Sequence, residues 1–216
     1  MMNLLLTFAA ALSALLHIRA EYFGPHVQVY VFKPLTMVLI IAMAVRAFRP
    51  AFSRYGWTIL AGLVFSIAGD VFLMLPSDQF IPGLVCFLIA HLCYITAFRS
   101  GMKFAFSWKE LIPFVLYGAL MTAFLFPFLG EMKVPVFVYT AVIVTMGWQA
   151  CSRWIRLKSL SSRLAFIGAV LFMVSDSALA VDRFHGHFAA APALLLVTYF
   201  AAQWFIARSI NDASPQ

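Results

Sequence analysis

Eight apolar runs follow one another along the chain, centred on residues 3–18, 30–48, 57–75, 80–98, 109–129, 134–152, 163–181 and 188–208. Each approaches the roughly 20 residues that a helix needs to cross hydrocarbon, and a run buried among others needs fewer. The interruptions are short and turn-forming: Arg49-Pro50, Pro76-Ser77-Asp78, Ser100-Gly101, Gly130-Glu131 and Asp182 to Gly186. In lipid only helices or a closed barrel satisfy the backbone, and these unbroken runs lack the alternation of barrel strands. The expected fold is all-α: a polytopic membrane bundle of about eight transmembrane helices, one transmembrane domain over 1–216, with connections too short for an extramembrane domain. The first run, Met1 to Leu16, has no Lys or Arg ahead of it and is read as the first membrane helix, not as a secretory signal.

Composition agrees with lipid as the solvent. Hydrophobic residues make up 64% of the chain and charged residues 11%, against roughly one half and one quarter in an ordinary globular domain. The formal net charge of +7 does not mark a nucleic-acid surface, because the cations lie between the apolar runs, where orientation and anionic head groups account for them. Eleven of the 15 Lys and Arg flank the second-to-third, fourth-to-fifth and sixth-to-seventh connections and the C-terminal end; Arg19, Lys33, Lys133 and Arg183 lie at the opposite end. Cations resist translocation. Both termini are therefore expected in the cytoplasm, of an integral membrane protein of the plasma membrane, the inner membrane of a bacterium. Membrane lipids are the expected partners, and nucleic acid is not. Cys86, Cys93 and Cys151 fall inside apolar runs and read as packing residues; the first two are about two helical turns apart, too far for a disulfide.

A weak internal repeat runs through the sequence. The third run carries Gly62, Gly69-Asp70 and Leu73; the seventh carries Gly168, Ser175-Asp176 and Leu179, at the same G-x(6)-[GS]-D-x-x-L spacing. Lys33-Pro34 and Val134-Pro135 begin the preceding runs, and Tyr94 and Tyr199 sit within the following ones. A four-plus-four parallel duplication explains all three features; chance agreement between apolar sequences is the alternative.

Ionisable groups inside hydrocarbon cost several kcal/mol and usually face a cavity where they are used, which singles out Asp70 and Asp176. Each lies about 13 residues from the cytoplasmic end of its run, or about 20 Å at 1.5 Å per residue. Two carboxyl groups at one depth, facing each other, form a protonated acid beside a carboxylate, the pairing used for general acid and base work. The bland alternative is a hydrogen-bonded knot between helices. His91 and Tyr94, at i and i+3, share a helix face and lie near the same depth. Lys33 is a candidate phosphate contact or a snorkelling cation. Tyr139, Tyr199 and Gln203 are candidate lining groups. Gly69 and Ser175 read first as packing positions, with Ser175 also carried as a substrate contact. No compact metal-ligand motif, phosphate loop or G-x-S-x-G elbow occurs, so neither a metal nor another cofactor is expected.

These residues resemble the YhhN family of membrane proteins, whose characterised members include the animal lysoplasmalogenases. The resemblance rests on Lys33-Pro34; on Leu63-Val64-Phe65-Ser66 leading to Gly69-Asp70; on Gly83, Phe87, Ala90-His91 and Tyr94; and on Gly168-Ala169, Phe172 and Ser175-Asp176. It implies a hydrolase that cuts the vinyl ether bond of a lysoplasmalogen, giving a fatty aldehyde and glycerophosphoethanolamine or glycerophosphocholine. Asp70 and Asp176 would then be acid and base in either order, with a lysophospholipid as substrate. The rival from residues alone is a transporter driven by protonation of the same aspartates. A third reading is a structural subunit in which they only tie helices together.

Overall fold

A computed structural model describes residues 2–25, 27–47, 53–102 and 106–210. Its described secondary structure is helical, with eight helices long and apolar enough to span a membrane: α1 (Met2–Phe23), α2 (Val27–Ala47), α3 (Arg54–Met74), α4 (Phe80–Arg99), α5 (Trp108–Leu125), α6 (Lys133–Leu157), α7 (Leu160–Ala180) and α8 (Ala191–Arg208). The expected all-α membrane bundle is what forms. His26, Arg49, Pro50 and Lys103 lie outside the described residues. The fifth run closes in short 3-10 turns at Phe126–Phe128 and Gly130–Met132, and the seventh in a π turn at Val181–His185.

Local chemistry sets several boundaries. Ser53 caps α3 by accepting from the Gly56 N–H at 3.2 Å, and Ser159 caps α7 in a reciprocal box with Ser162. Lys158, at φ 49°, ends α6 in the left-handed conformation. The core lies mainly between α2, α3, α4, α6, α7 and α8. Within their apolar windows only 17% of α1 and 11% of α5 is buried, against 44% of α6 and of α8, so α1 and α5 are outer helices facing lipid.

Small residues bring partner helices together. Tyr94 of α4 lays its ring on Gly62 of α3, and Phe87 lays its ring on Gly69. In the other half, a Cβ at Gly168 would fall 2.9 Å from the Ala202 carbonyl oxygen of α8, so α7 and α8 pack through backbone contact.

The bundle is tied shut at the end holding the α2–α3, α4–α5 and α6–α7 connections. Arg153 is buried there; it donates to the carbonyls of Phe98 at 3.2 Å and Ser100 at 2.7 Å and stacks 4.5 Å over the Tyr55 ring. The Tyr55 hydroxyl meets Ser209 Oγ at 2.6 Å, and Ser161 Oγ donates to the Ser209 carbonyl at 2.7 Å. Five helices share this knot. Arg153, counted in the sequence as an orienting cation, is thus also a structural clamp.

Candidate active site

The opposite end is open. A cavity of about 500 Å³ descends there between α2, α3, α4, α7 and α8, and Asp70 and Asp176 both line it. Asp70 is 1% exposed. Its Oδ1 lies 3.2 Å from Lys33 Nζ of α2, and its Oδ2 accepts from the Tyr199 hydroxyl of α8 at 2.5 Å. Helical side chains lean toward the helix N-terminus, and α2 and α8 both begin at the cavity mouth. Lys33 and Tyr199 therefore tilt outward onto a carboxyl carried by α3, which runs the other way.

Asp176 is held differently. Its Oδ2 accepts from the Tyr139 hydroxyl of α6 at 2.5 Å, and His91 Nε2 of α4 lies 3.7 Å away, too long for a hydrogen bond. Among the described residues no Lys or Arg lies within ion-pair distance of Asp176, and no hydrogen bond engages its Oδ1. One carboxyl has a lysine partner; among the described residues the other has one tyrosine hydroxyl and a nearby imidazole.

Below the carboxyls, Phe87, Phe172, Tyr199 and His91 interlock edge to face. Centroids are 5.9 Å apart for Phe87 and Tyr199, 5.6 Å for Phe172 and Tyr199, and 4.7 Å for His91 and Phe172. Such contacts fix ring orientation and give the cavity a dry floor. His91 is fully buried with both ring nitrogens unbonded, beside Asp176 but not lining the open chamber.

The structure gathers Asp70, Asp176, Lys33, Tyr199 and Ser175 around the chamber, with Tyr139 and His91 behind Asp176. Lys33 does not snorkel: it is buried and ion-paired. The Ser175 hydroxyl donates to the Leu195 carbonyl at 3.1 Å and so ties α7 to α8. Tyr94 and Gln203 lie apart from the chamber. The Tyr94 hydroxyl donates to Gln203 Oε1 at 2.7 Å, both residues have no exposed surface, and the pair sits beyond the aromatic floor, a turn deeper than His91. Sequence reasoning missed the mouth, where Glu21, Asp78, Asp182 and Arg183 line the cavity and Arg183 pairs with Asp78 at 2.5 Å. Polar residues next to turns carry no signal that separates a rim from an ordinary connection.

Exchanging the two halves of the chain exchanges the partners. Asp70 on α3 is bonded from α2 and α8, and Asp176 on α7 is bonded from α6 and approached by His91 of α4. A four-plus-four duplication would produce such an exchange of helices.

Fold and site together define a polytopic helical membrane protein with two unlike carboxyl groups lining one polar chamber. The chain belongs to the YhhN family, whose model matches residues 28–210, as the sequence motifs led one to expect. It is similar to the uncharacterized membrane protein YhhN of Escherichia coli O157:H7, 32% identical over 202 residues that cover 94% of this chain and 96% of that protein. It is also similar to lysoplasmalogenase TMEM86A of Bos taurus, 39% identical over 166 residues covering 72% of this chain and 65% of that one. A lysoplasmalogenase of Mycobacterium bovis is 31% identical over 161 residues, covering 71% of this chain and 59% of that one. No solved structure matches the chain significantly.

Proposed function

We propose that this protein is a membrane-embedded hydrolase of lysophospholipids that cleaves the vinyl ether bond of a lysoplasmalogen, releasing a fatty aldehyde and glycerophosphoethanolamine or glycerophosphocholine. The observation that carries the reading is that two carboxyl groups line one chamber with unlike partners, Lys33 on Asp70 and Tyr139 on Asp176. The similarity to proteins named lysoplasmalogenase supports it.

A vinyl ether opens when a proton reaches the alkene carbon remote from oxygen, leaving an oxocarbenium ion, much as in glycoside hydrolysis with its two carboxyl groups. Asp176, with no lysine against it and Oδ1 unengaged, is the proton donor. Asp70, kept as a carboxylate by Lys33 and Tyr199, stabilises the cation and takes a proton from the attacking water. The hemiacetal then collapses: Asp70 returns its proton to the departing ether oxygen, and the hemiacetal hydroxyl proton restores Asp176. One water is consumed and both carboxyl groups return to their starting state. Lys33 keeps N–H donors beyond the one facing Asp70 and is the candidate contact for the lipid phosphate. Tyr139 positions Asp176 through its hydroxyl, and His91 packs beside it.

Carried out in heavy water, the reaction places one deuterium on the aldehyde carbon next to the carbonyl. Mass spectrometry of aldehyde released by purified protein in detergent reads this directly. A transporter leaves its substrate unchanged, so aldehyde formation in detergent, where no gradient exists, separates the two classes, and absence of aldehyde overturns the reading.

By the distribution of cations the chamber opens away from the cytoplasm and both termini lie within it. A C-terminal reporter enzyme active only in the cytoplasm is expected to be active; a silent one reverses the orientation.

A further inference from the structure

A second cavity runs beside the polar chamber and differs from it in chemistry. It lies between α4, α5, α6 and α7, and Asp176 is the single charged side chain lining it among the described residues. Of the other polar groups that line it, Thr140 faces the aliphatic side chains, and the remaining three hydroxyls are already hydrogen-bonded. The Tyr117 hydroxyl is hydrogen-bonded to Ser177 Oγ and lies 3.3 Å from the Met173 carbonyl oxygen, and the Tyr139 hydroxyl is on Asp176. What remains facing the space is Met121, Leu125, Val136, Ile143, Val144 and Met173, a dry aliphatic slot.

The slot and the chamber share one wall. Leu73, Phe80, Phe87 and Leu179 line both, and so does Asp176. An aliphatic slot and a charged chamber thus meet at the residue assigned above as the proton donor. A lysophospholipid has the same division, with a phosphorylated head on one side of the ether bond and a single hydrocarbon chain on the other.

We propose that the slot between α4, α5, α6 and α7 seats the hydrocarbon chain of the substrate, so that the lipid bends at Asp176 around the shared wall, its head in the Lys33–Asp70 chamber and its chain in the slot. This rests on the lysophospholipid reading given above and adds where each part of the molecule lies. From Tyr117 to Leu125 on α5, and from Val136 to Val144 on α6, the slot runs about 12 Å at 1.5 Å per residue, the extended length of about ten methylenes. The rest of a longer chain leaves past Leu125 and Phe184 toward lipid, where Phe124, Phe126 and Phe128 are exposed. The apolar cavity between α1, α2 and α8 shares no lining residue with the chamber, so it offers a second acyl chain no comparable seat. Such a chain would have to enter the chamber beside Lys33 and Asp70, which gives a physical reason for selecting lipids with one chain.

Two measurements test the seat. In the first, the wild-type protein is irradiated with a lysophosphatidylethanolamine carrying a diazirine on its chain, and the label is mapped by mass spectrometry. Label is expected on Met121, Val144 and Met173; label confined to lipid-facing residues such as Leu120 and Phe137 overturns the seat. In the second, kcat/KM is compared for a chain longer than the slot and one shorter. Met121→Trp is expected to lower the long-to-short ratio at least about tenfold, since misplacing a reacting bond by about 1 Å costs on the order of 100-fold. Leu120→Trp, on the exposed face of the same helix, leaves the ratio unchanged. Equal ratios in both variants overturn the proposal, and if Met121→Trp does not fold, Met121→Ala is expected to shift the preference toward bulkier chains. If aldehyde is never formed but the label still maps to the slot, the hydrolase reading fails and the seat stands. Hydrolysis with the label elsewhere sinks the seat and leaves the hydrolase reading intact.

Discussion

Asp176→Asn is expected to lower aldehyde release by about 100- to 10,000-fold, the range that positioned proton transfer contributes, while binding of lysophospholipid persists. Asparagine has nearly the same shape, and its carbonyl still accepts from the Tyr139 hydroxyl, which in the wild type lies 2.5 Å from Asp176 Oδ2. What it lacks is an acidic proton to give to carbon. The thermal stability of the variant in detergent therefore stays within about 1 kcal/mol of wild type, the net worth of an ordinary hydrogen bond. Rates and stability together decide between chemistry and architecture. Unchanged turnover removes Asp176 from the mechanism, and a large fall in melting temperature points to the helix-tying role instead.

The second large effect concerns Lys33 and Asp70. Lys33→Met leaves a carboxylate without its cation at a position 1% exposed, and breaking a buried pair from one side costs about 3–5 kcal/mol. Adding Asp70→Asn removes the stranded charge and leaves a neutral group able to accept from Tyr199, so the double variant is expected to recover most of the lost stability. Residues in contact are coupled in this way, and a double-mutant cycle measures it. Turnover behaves oppositely: it stays lost in the double variant, because no carboxylate remains to take the proton from water. The assignment fails if the two losses of stability simply add, or if the double variant turns over like wild type.

Both experiments bear on a difference between the two carboxyl groups that motif spacing conceals. Asp70 and Asp176 occupy matching places in the repeated G-x(6)-[GS]-D-x-x-L pattern, yet their partners are not equivalent. The first half supplies a lysine at the start of its second helix and the second half supplies a tyrosine. In the proposed mechanism this difference in partners lets one carboxyl keep its charge while the other keeps its proton.

The amino-acid sequence by itself determined the solvent and the number of helices, and it singled out the two aspartates on which the proposed chemistry turns. Apolar runs and the turn residues between them are local features, and the cost of placing a charge in hydrocarbon is set by the run that carries it. The eight helices accordingly fall within a few residues of the runs, and Asp70 and Asp176 stand out without any knowledge of their neighbours. Which groups face one another was decided only by tertiary structure, because it depends on how each helix is rotated and which helices are adjacent. Lys33 looked equally suited to snorkelling and to phosphate, and packing against α3 gave it to Asp70. Tyr94 and Gln203 had the same credentials as Tyr199, but their helix faces turn them into a closed pair beyond the aromatic floor. The aliphatic slot of α4 to α7 had no signature at all, since in a chain this apolar a wall that seats a lipid and a wall that packs against a helix are written in the same residues.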